Sequence, residues 1–134
     1  AEMMTDTKAE ITIQSQMAGK IPVMRLNQLL MECAAEVGAP RISEPRKKPG
    51  STDLANVMQL VPGSCIRVAF VPPNAASHSQ EFLDNGKAET GHQAILYGAK
   101  ILAGASYEMI TKPELMKEIQ QEFQKNKECQ KQEV

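Results

Sequence analysis

Residues 65–71 constrain the fold of this chain more than any other segment. They read Cys-Ile-Arg-Val-Ala-Phe-Val, a β-branched and mostly apolar run that Pro72 and Pro73 end. Apolar side chains on both faces are typical of a strand inside a sheet. Such a strand needs neighbouring strands, and the sequence offers few. Ile11 and Ile13 alternate with polar residues and predict a strand with one buried face at residues 9–16, and the pattern allows a short strand around Ile42. The sequence therefore predicts a core strand whose sheet lacks a partner.

Helices are predicted around this strand from the spacing of apolar residues and from start and stop signals. They are expected at residues 26–37, 54–60, 89–110 and 113–127. Residues 75–86, which contain His78, are predicted to form a polar loop. The order of strands and helices predicts an α/β fold.

One face of the long helix at residues 89–110 is rich in small and apolar side chains. It carries His92, Ile95, Leu96, Ala99, Leu102, Ala103 and Ser106. Because apolar residues at helical spacing usually face a core, we expect His92 to lie on a buried face. A hydrogen-bonded core histidine is then the favoured interpretation of His92.

Composition limits the chemistry that the chain can carry. Its 134 residues suit one domain, and 42% hydrophobic with 23% charged residues are typical of a soluble globular chain. A net charge of -1 and only 4% aromatic residues argue against nucleic-acid binding. No apolar run reaches the roughly 20 residues of a membrane helix. Three separated cysteines without a C-x-x-C pair exclude a zinc ribbon and predict a reducing, cytoplasmic location.

Two further positions are candidates for a site. His78 follows the carboxyl end of the predicted core strand, where α/β proteins place their sites, so it is either a ligand or base or an exposed loop residue. Asp53 is either a helix-start residue stabilised by the helix dipole or a site carboxylate. The spacing alone favours the helix-start interpretation of Asp53.

Several spaced motifs agree with a known family. They are Gly50-Ser51-Thr52-Asp53-Leu54-Ala55-Asn56-Val57, Val61-Pro62, His78-Ser79, Ala88-Glu89-Thr90-Gly91-His92 and Thr111-Lys112-Pro113-Glu114-Leu115. Together they resemble the C-terminal part of zinc-dependent amidohydrolases and aminoacylase-type metallopeptidases, in the branch that contains aminobenzoyl-glutamate hydrolase subunits. The resemblance covers about residues 20–127. The chain departs from that branch at Ala55, where glycine is usual, and in the loop before His78.

The resemblance implies a domain organisation. Such enzymes have a three-layer αβα catalytic domain that is interrupted by a smaller lid or dimerisation domain. Residues 1–20 would be the last strand of the lid domain and the hinge, and residues 21–134 would be the C-terminal segment of the catalytic domain. The complete enzyme would be a homo-oligomer.

The resemblance also implies a chemistry. Two divalent ions, usually zinc, would activate a water that cleaves an amide bond of an N-acyl amino acid or dipeptide-like substrate. His78 would be the last metal ligand. His92 would help to orient the metal ligands without binding the metal itself. The residues that would border the substrate pocket are Gly50, Ser51, Thr52 and Asp53. The other ligands and the general base belong to an N-terminal part of the catalytic domain that has no counterpart in this sequence, so we expect the chain alone to bind zinc weakly and to be inactive.

Two alternatives remain open. The chain could be a non-catalytic α/β interaction or structural domain that dimerises through the narrow helix at residues 89–110. It could also be a single-metal enzyme, which requires Asp53, His78 and His92 to converge.

Overall fold

The computed structural model describes residues 8–43 and 50–132, and these residues form five helices. The helices are α1 (Met24–Glu36), α2 (Leu54–Met58), α3 (Gln80–Gly86), α4 (Glu89–Thr111) and α5 (Pro113–Gln132). Four of them confirm the helices predicted from periodicity, and α5 continues beyond its predicted end. Within the described part, no helix is both long enough and apolar enough to cross a membrane.

The hydrophobic core lies where α1, α4 and α5 meet. Its buried members are Ile21, Val23, Leu26, Leu29, Leu30, Cys33, Ala34, Ile101, Ala105, Leu115, Ile119 and Phe123. On α1 and α5 these residues recur every three or four positions, so each helix turns one apolar face inward. Full burial of each large side chain stabilises the fold by about 1.5–3 kcal/mol.

The first turn of α1 is capped by a side chain from the far end of the chain. Val23 occupies the position before the helix and makes no side-chain cap hydrogen bond. The Glu122 carboxylate on α5 instead accepts the backbone N–H groups of Met24 at 2.8 Å and Arg25 at 2.9 Å. A negative charge at a helix N-terminus is favourable. The α1–α5 contact therefore combines apolar burial with helix capping.

The predicted α/β fold is wrong for the described residues, which contain no strand. Residues 65–71 are extended, but no backbone group among them bonds to another backbone group in the described part. Near the N-terminus, Ile11 and Ile13 are 88% and 71% exposed, and Ile42 is also exposed. A strand requires a neighbouring strand, and the described residues contain none. The three-layer αβα arrangement and the lid strand are therefore not formed here.

Residues 65–71 nevertheless keep the alternation of a strand. Ile66, Val68 and Phe70 are half-buried, whereas the residues between them are exposed. Ile66 packs against the core, and the Phe70 ring meets the Phe82 ring edge-on with centroids 4.6 Å apart. One side of the segment thus packs against the helices, while its backbone groups form no backbone hydrogen bonds in the described part of the chain.

The predicted polar loop at residues 75–86 is also corrected, because its second half is helix α3. The Ser79 hydroxyl caps this helix by accepting the Phe82 backbone N–H at 3.2 Å. A serine followed by the acidic Glu81 in the first turn is a helix-start signal. That signal could have identified α3 from the sequence.

The side of α4 that faces the core is opposite to the side that the sequence predicted. Its buried residues are Gly91, Ala94, Ile101 and Ala105. The predicted core face, from His92 through Ser106, is exposed instead. Both sides of α4 are apolar, so periodicity did not distinguish between them.

We call the exposed apolar side of α4 the outer stripe. It consists of Ile95, Leu96, Leu102, Ala103, Tyr107 and Ile110, whose spacings of four and seven residues place them on one side of a helix. The large members are between 51% and 80% exposed.

A pair of glycine substitutions tests how α4 approaches α3. A Cβ at Gly91 would lie 2.7 Å from the Gly86 carbonyl oxygen and 2.8 Å from that of Asn85. Gly91→Ala should therefore lower the free energy of unfolding by about 1–3 kcal/mol. A Cβ at Gly98 meets nothing closer than 3.8 Å, so Gly98→Ala should raise it by about 0.5–1 kcal/mol through helix propensity. Urea unfolding measures both, and a Gly91→Ala variant as stable as Gly98→Ala would contradict the close approach.

Candidate functional site

His78 lies in the turn between the extended residues 65–71 and α3, with an exposed side chain. Its φ is 65°, the one positive φ of a non-glycine residue in the described part of the chain. The left-handed region costs an L-residue about 1–2 kcal/mol, although histidine enters it more readily than most residues. Backbone strain of this kind clusters at functional sites. The backbone conformation therefore distinguishes His78 from the other described non-glycine residues.

Ser79 fixes the turn on the carboxyl side of His78. Its hydroxyl donates to the Ala76 carbonyl oxygen at 2.8 Å and accepts the Phe82 backbone N–H at 3.2 Å. The two bonds join the residues before and after His78. The backbone of His78 is thus fixed at the start of α3, while its imidazole projects into solvent.

The four residues predicted to border a substrate pocket lead into α2. The Thr52 hydroxyl donates to the Asp53 carboxylate and accepts the Leu54 backbone N–H, both at 3.3 Å. The Lys20 ammonium donates to the Gly50 carbonyl oxygen at 3.1 Å. This segment is mostly exposed, so its carboxylate is accessible to a ligand.

The structure does not assemble the candidate residues into one metal site. Asp53 precedes α2, His78 precedes α3, and His92 lies in the first turn of α4 with Nδ1 4.0 Å from Glu89 Oε2. Among residues 8–43 and 50–132, no group of three or more His, Cys, Asp or Glu could hold a metal ion. The hypothesis of a single-metal site is wrong for these residues. His92 is also not a buried core histidine, since its side chain is 64% exposed.

Cys33 belongs to the core and not to a reactive site. Burial, and next the negative charge of Glu36, raise the pKa of the Cys33 thiol above its ordinary value. The protonated thiol is a poor nucleophile and a poor metal ligand. Cys65 and Cys129 are exposed free thiols.

Two amide side chains near α2 were not identified from the sequence. Asn56 accepts the Ala18 backbone N–H at 2.8 Å and donates to the Gln16 carbonyl oxygen at 3.0 Å, as a neighbouring strand would. Gln59 donates to the Gly19 carbonyl oxygen at 2.6 Å. They hold the segment predicted as a hinge against α2. Their spacing of three on a short helix, which places both amides on one side, was the available signal.

Two open grooves accompany these elements. One, of about 580 Å³, is lined by Gln16, Met17, Ala18, Asn56 and Gln59. The other, of about 340 Å³ and mostly apolar, is lined by Val68, Phe70, Gly86, Gly91, Ala94 and Ile95. Neither is lined by His78 or by residues 50–53, so neither joins the predicted site residues into a pocket.

Comparison with known proteins gives one informative similarity. The chain is 32% identical over 107 residues to the Xaa-Arg dipeptidase of Homo sapiens. The match covers 77% of this chain but 24% of that protein, so the chain spans about a quarter of the length of its relative. No family model matches the chain, and no solved structure matches it significantly. The similarity supports a relation to peptidases and confirms the predicted resemblance at that level.

Replacing His78 tests the strain in its turn. His78→Gly removes the left-handed penalty, whereas His78→Ala keeps it and loses no buried contact. We expect His78→Gly to be more stable than His78→Ala by about 1 kcal/mol in urea unfolding. Equal stabilities would contradict a strained backbone at this position.

Proposed function

We propose that this chain is part of a metal-dependent peptide or amide hydrolase and contributes one metal-binding histidine, His78. Its similarity to a dipeptidase over 107 residues supports the hydrolase class. The exposed His78, in a turn with a positive φ, is the observation that carries the assignment. The motif resemblance supports the role of last metal ligand for this residue. A metal-binding side chain on a fixed backbone keeps its orientation when the metal binds.

The described residues do not fit a complete metal site, because they bring no three ligands together. The proposed metal is zinc, with two ions in the complete enzyme. The other ligands and the general base would come from polypeptide corresponding to the part of the dipeptidase that the chain does not match. In this proposal the isolated chain binds zinc weakly and is inactive.

The proposed substrate is an N-acyl amino acid or a dipeptide. Its hydrolysis adds one water across an amide bond and releases a carboxylate and an amine. Residues 50–53 would border the substrate, with the exposed Asp53 carboxylate available to an N–H donor. His92 would act as a positioning residue behind the metal ligands. The free cysteines support a reducing, cytoplasmic location.

A chimera tests this proposal. The part of this chain that matches the dipeptidase replaces the corresponding quarter of that protein, and hydrolysis of an Xaa-Arg dipeptide is measured. We expect an active chimera in which His78→Ala lowers kcat/KM by more than about 100-fold, because a metal ligand is lost. His92→Ala should lower it by about 10-fold. Ser77→Ala, an exposed neighbour in the same turn, is the matched control and should have no effect.

Two results would contradict the proposal. One is a folded, active chimera in which His78→Ala hydrolyses the dipeptide as fast as the Ser77→Ala control. The other comes from calorimetric titration of the isolated chain, which should show no saturable site below about 0.1 mM zinc. Tight binding of one zinc by the isolated chain together with turnover would show that the site is complete without a further polypeptide.

A further inference from the structure

Residues 16–20 lead into the core but lie outside it. Residues 16–19 are exposed, and the chain becomes buried at Ile21, which is 1% exposed. Residues 16–20 have no regular secondary structure and form no backbone–backbone hydrogen bond with another described residue. Their one large apolar side chain, Met17, is 61% exposed. The position of this segment therefore depends on hydrogen bonds that involve side chains.

Two amide side chains at α2 bind the backbone of this segment. The Asn56 side chain accepts the Ala18 backbone N–H at 2.8 Å and donates to the Gln16 carbonyl oxygen at 3.0 Å. The Gln59 side chain donates to the Gly19 carbonyl oxygen at 2.6 Å. A single amide group that both donates and accepts can bind two backbone groups of an extended chain at once. These bonds therefore fix the direction of the segment as well as its place.

Gln59 also joins the segment to α5. Its Nε2 donates a second hydrogen bond to Gln130 Oε1 at 3.2 Å, which a primary amide with two N–H groups can do. The Lys127 ammonium donates to the Gln59 carbonyl oxygen at 2.5 Å. A Cβ at Gly19 would lie 2.9 Å from Gln130 Nε2, so the backbone runs close to α5 at this point. Side chains from α2 and α5 thus act on the segment together.

These hydrogen bonds are weak enough to open together. A hydrogen bond between groups that water can also reach adds little net stability. Ordering the backbone of the segment opposes these bonds with a free energy of similar size. Residues 16–19 are exposed, so apolar burial within them adds little to the balance. A segment with few buried contacts can open locally while the rest of the fold stays intact.

We propose that Asn56, Gln59, Lys127 and Gln130 form a latch that holds residues 16–20 against α2 and α5, and that opening the latch releases this segment as a unit. The closed latch sets the direction in which the polypeptide before residue 16 leaves the helices. The consequence for catalysis rests on the proposed function, in which residues 1–20 are the end of the lid domain and the hinge. In that enzyme the latch would hold the lid in one orientation, and Gln59 would be a positioning residue.

Hydrogen exchange of the Ala18 backbone N–H, measured by NMR, tests the latch separately from the proposed hydrolysis. Gln59→Ala leaves Asn56 in place but should speed this exchange about 2–10-fold, because the segment opens as a unit. Gln124→Ala removes an exposed glutamine elsewhere on α5 and is the matched control. Exchange at Leu30, in the middle of α1, should stay unchanged. Equal exchange at Ala18 in the two variants would overturn the latch.

A second variant tests the link to α5. Gln130→Ala keeps the bond between Gln59 and Gly19, so it should speed exchange at Ala18 less than Gln59→Ala does. The double variant should exchange no faster than Gln59→Ala, because the bond between Gln59 and Gln130 is already lost in that variant. Additive effects of the two substitutions would overturn the role of α5 in the latch.

A pair of spin labels tests whether the latch fixes the position of the segment. In a chain with Cys65→Ser and Cys129→Ser, nitroxides are attached at Met17→Cys and Lys100→Cys, both of which replace exposed side chains. Pulsed electron resonance then gives the distribution of distances between the two labels. We expect a narrow distribution when the latch is intact and a clearly broader one when Gln59→Ala is added. Distributions of equal width with and without Gln59→Ala would overturn the proposal.

Discussion

The structure depends on α4, a helix with apolar side chains on both its inner and its outer side. On the inner side, Ile101 and Ala105 pack into the core with α1 and α5. On the outer side, the described residues leave the stripe uncovered. A helix with two apolar sides is stable where both of them are covered. The outer side of α4 therefore requires a second surface, which the described residues do not supply.

Side chains from distant parts of the sequence stabilise the segments that lack regular hydrogen-bonded partners. Glu122 on α5 caps α1, and Asn56 and Gln59 bind the backbone before α1. Each net hydrogen bond contributes about 0.5–1.5 kcal/mol. The described structure shows no such hydrogen bond for residues 65–71. The one side of this segment that is covered is held by apolar contacts alone. The fold is thus three packed helices with extended segments held by individual side chains.

The sequence predicted the helices well because their signals are local. Apolar spacing was enough to identify α1, α4 and α5, and Leu115, Ile119 and Phe123 of α5 are buried in the core. The predicted strands failed because strand pairing depends on a distant partner, which the described chain does not supply. The buried side of α4 was predicted wrongly because apolar residues recur at helical spacing on both of its sides. Local motifs predicted a role for His78, which is exposed, but no local signal could show whether distant residues converge with it.

The two tyrosines of α4 allow the central claim, that the described residues leave its outer side uncovered, to be measured directly. Tyr107 belongs to the outer stripe and is 66% exposed, whereas Tyr97 is half-buried with its hydroxyl 3.5 Å from the Gly38 carbonyl oxygen. Hydroxyl-radical footprinting compares the two rings within the same chain. We expect Tyr107 to react several-fold faster than Tyr97. Equal rates of modification at the two tyrosines would contradict the account.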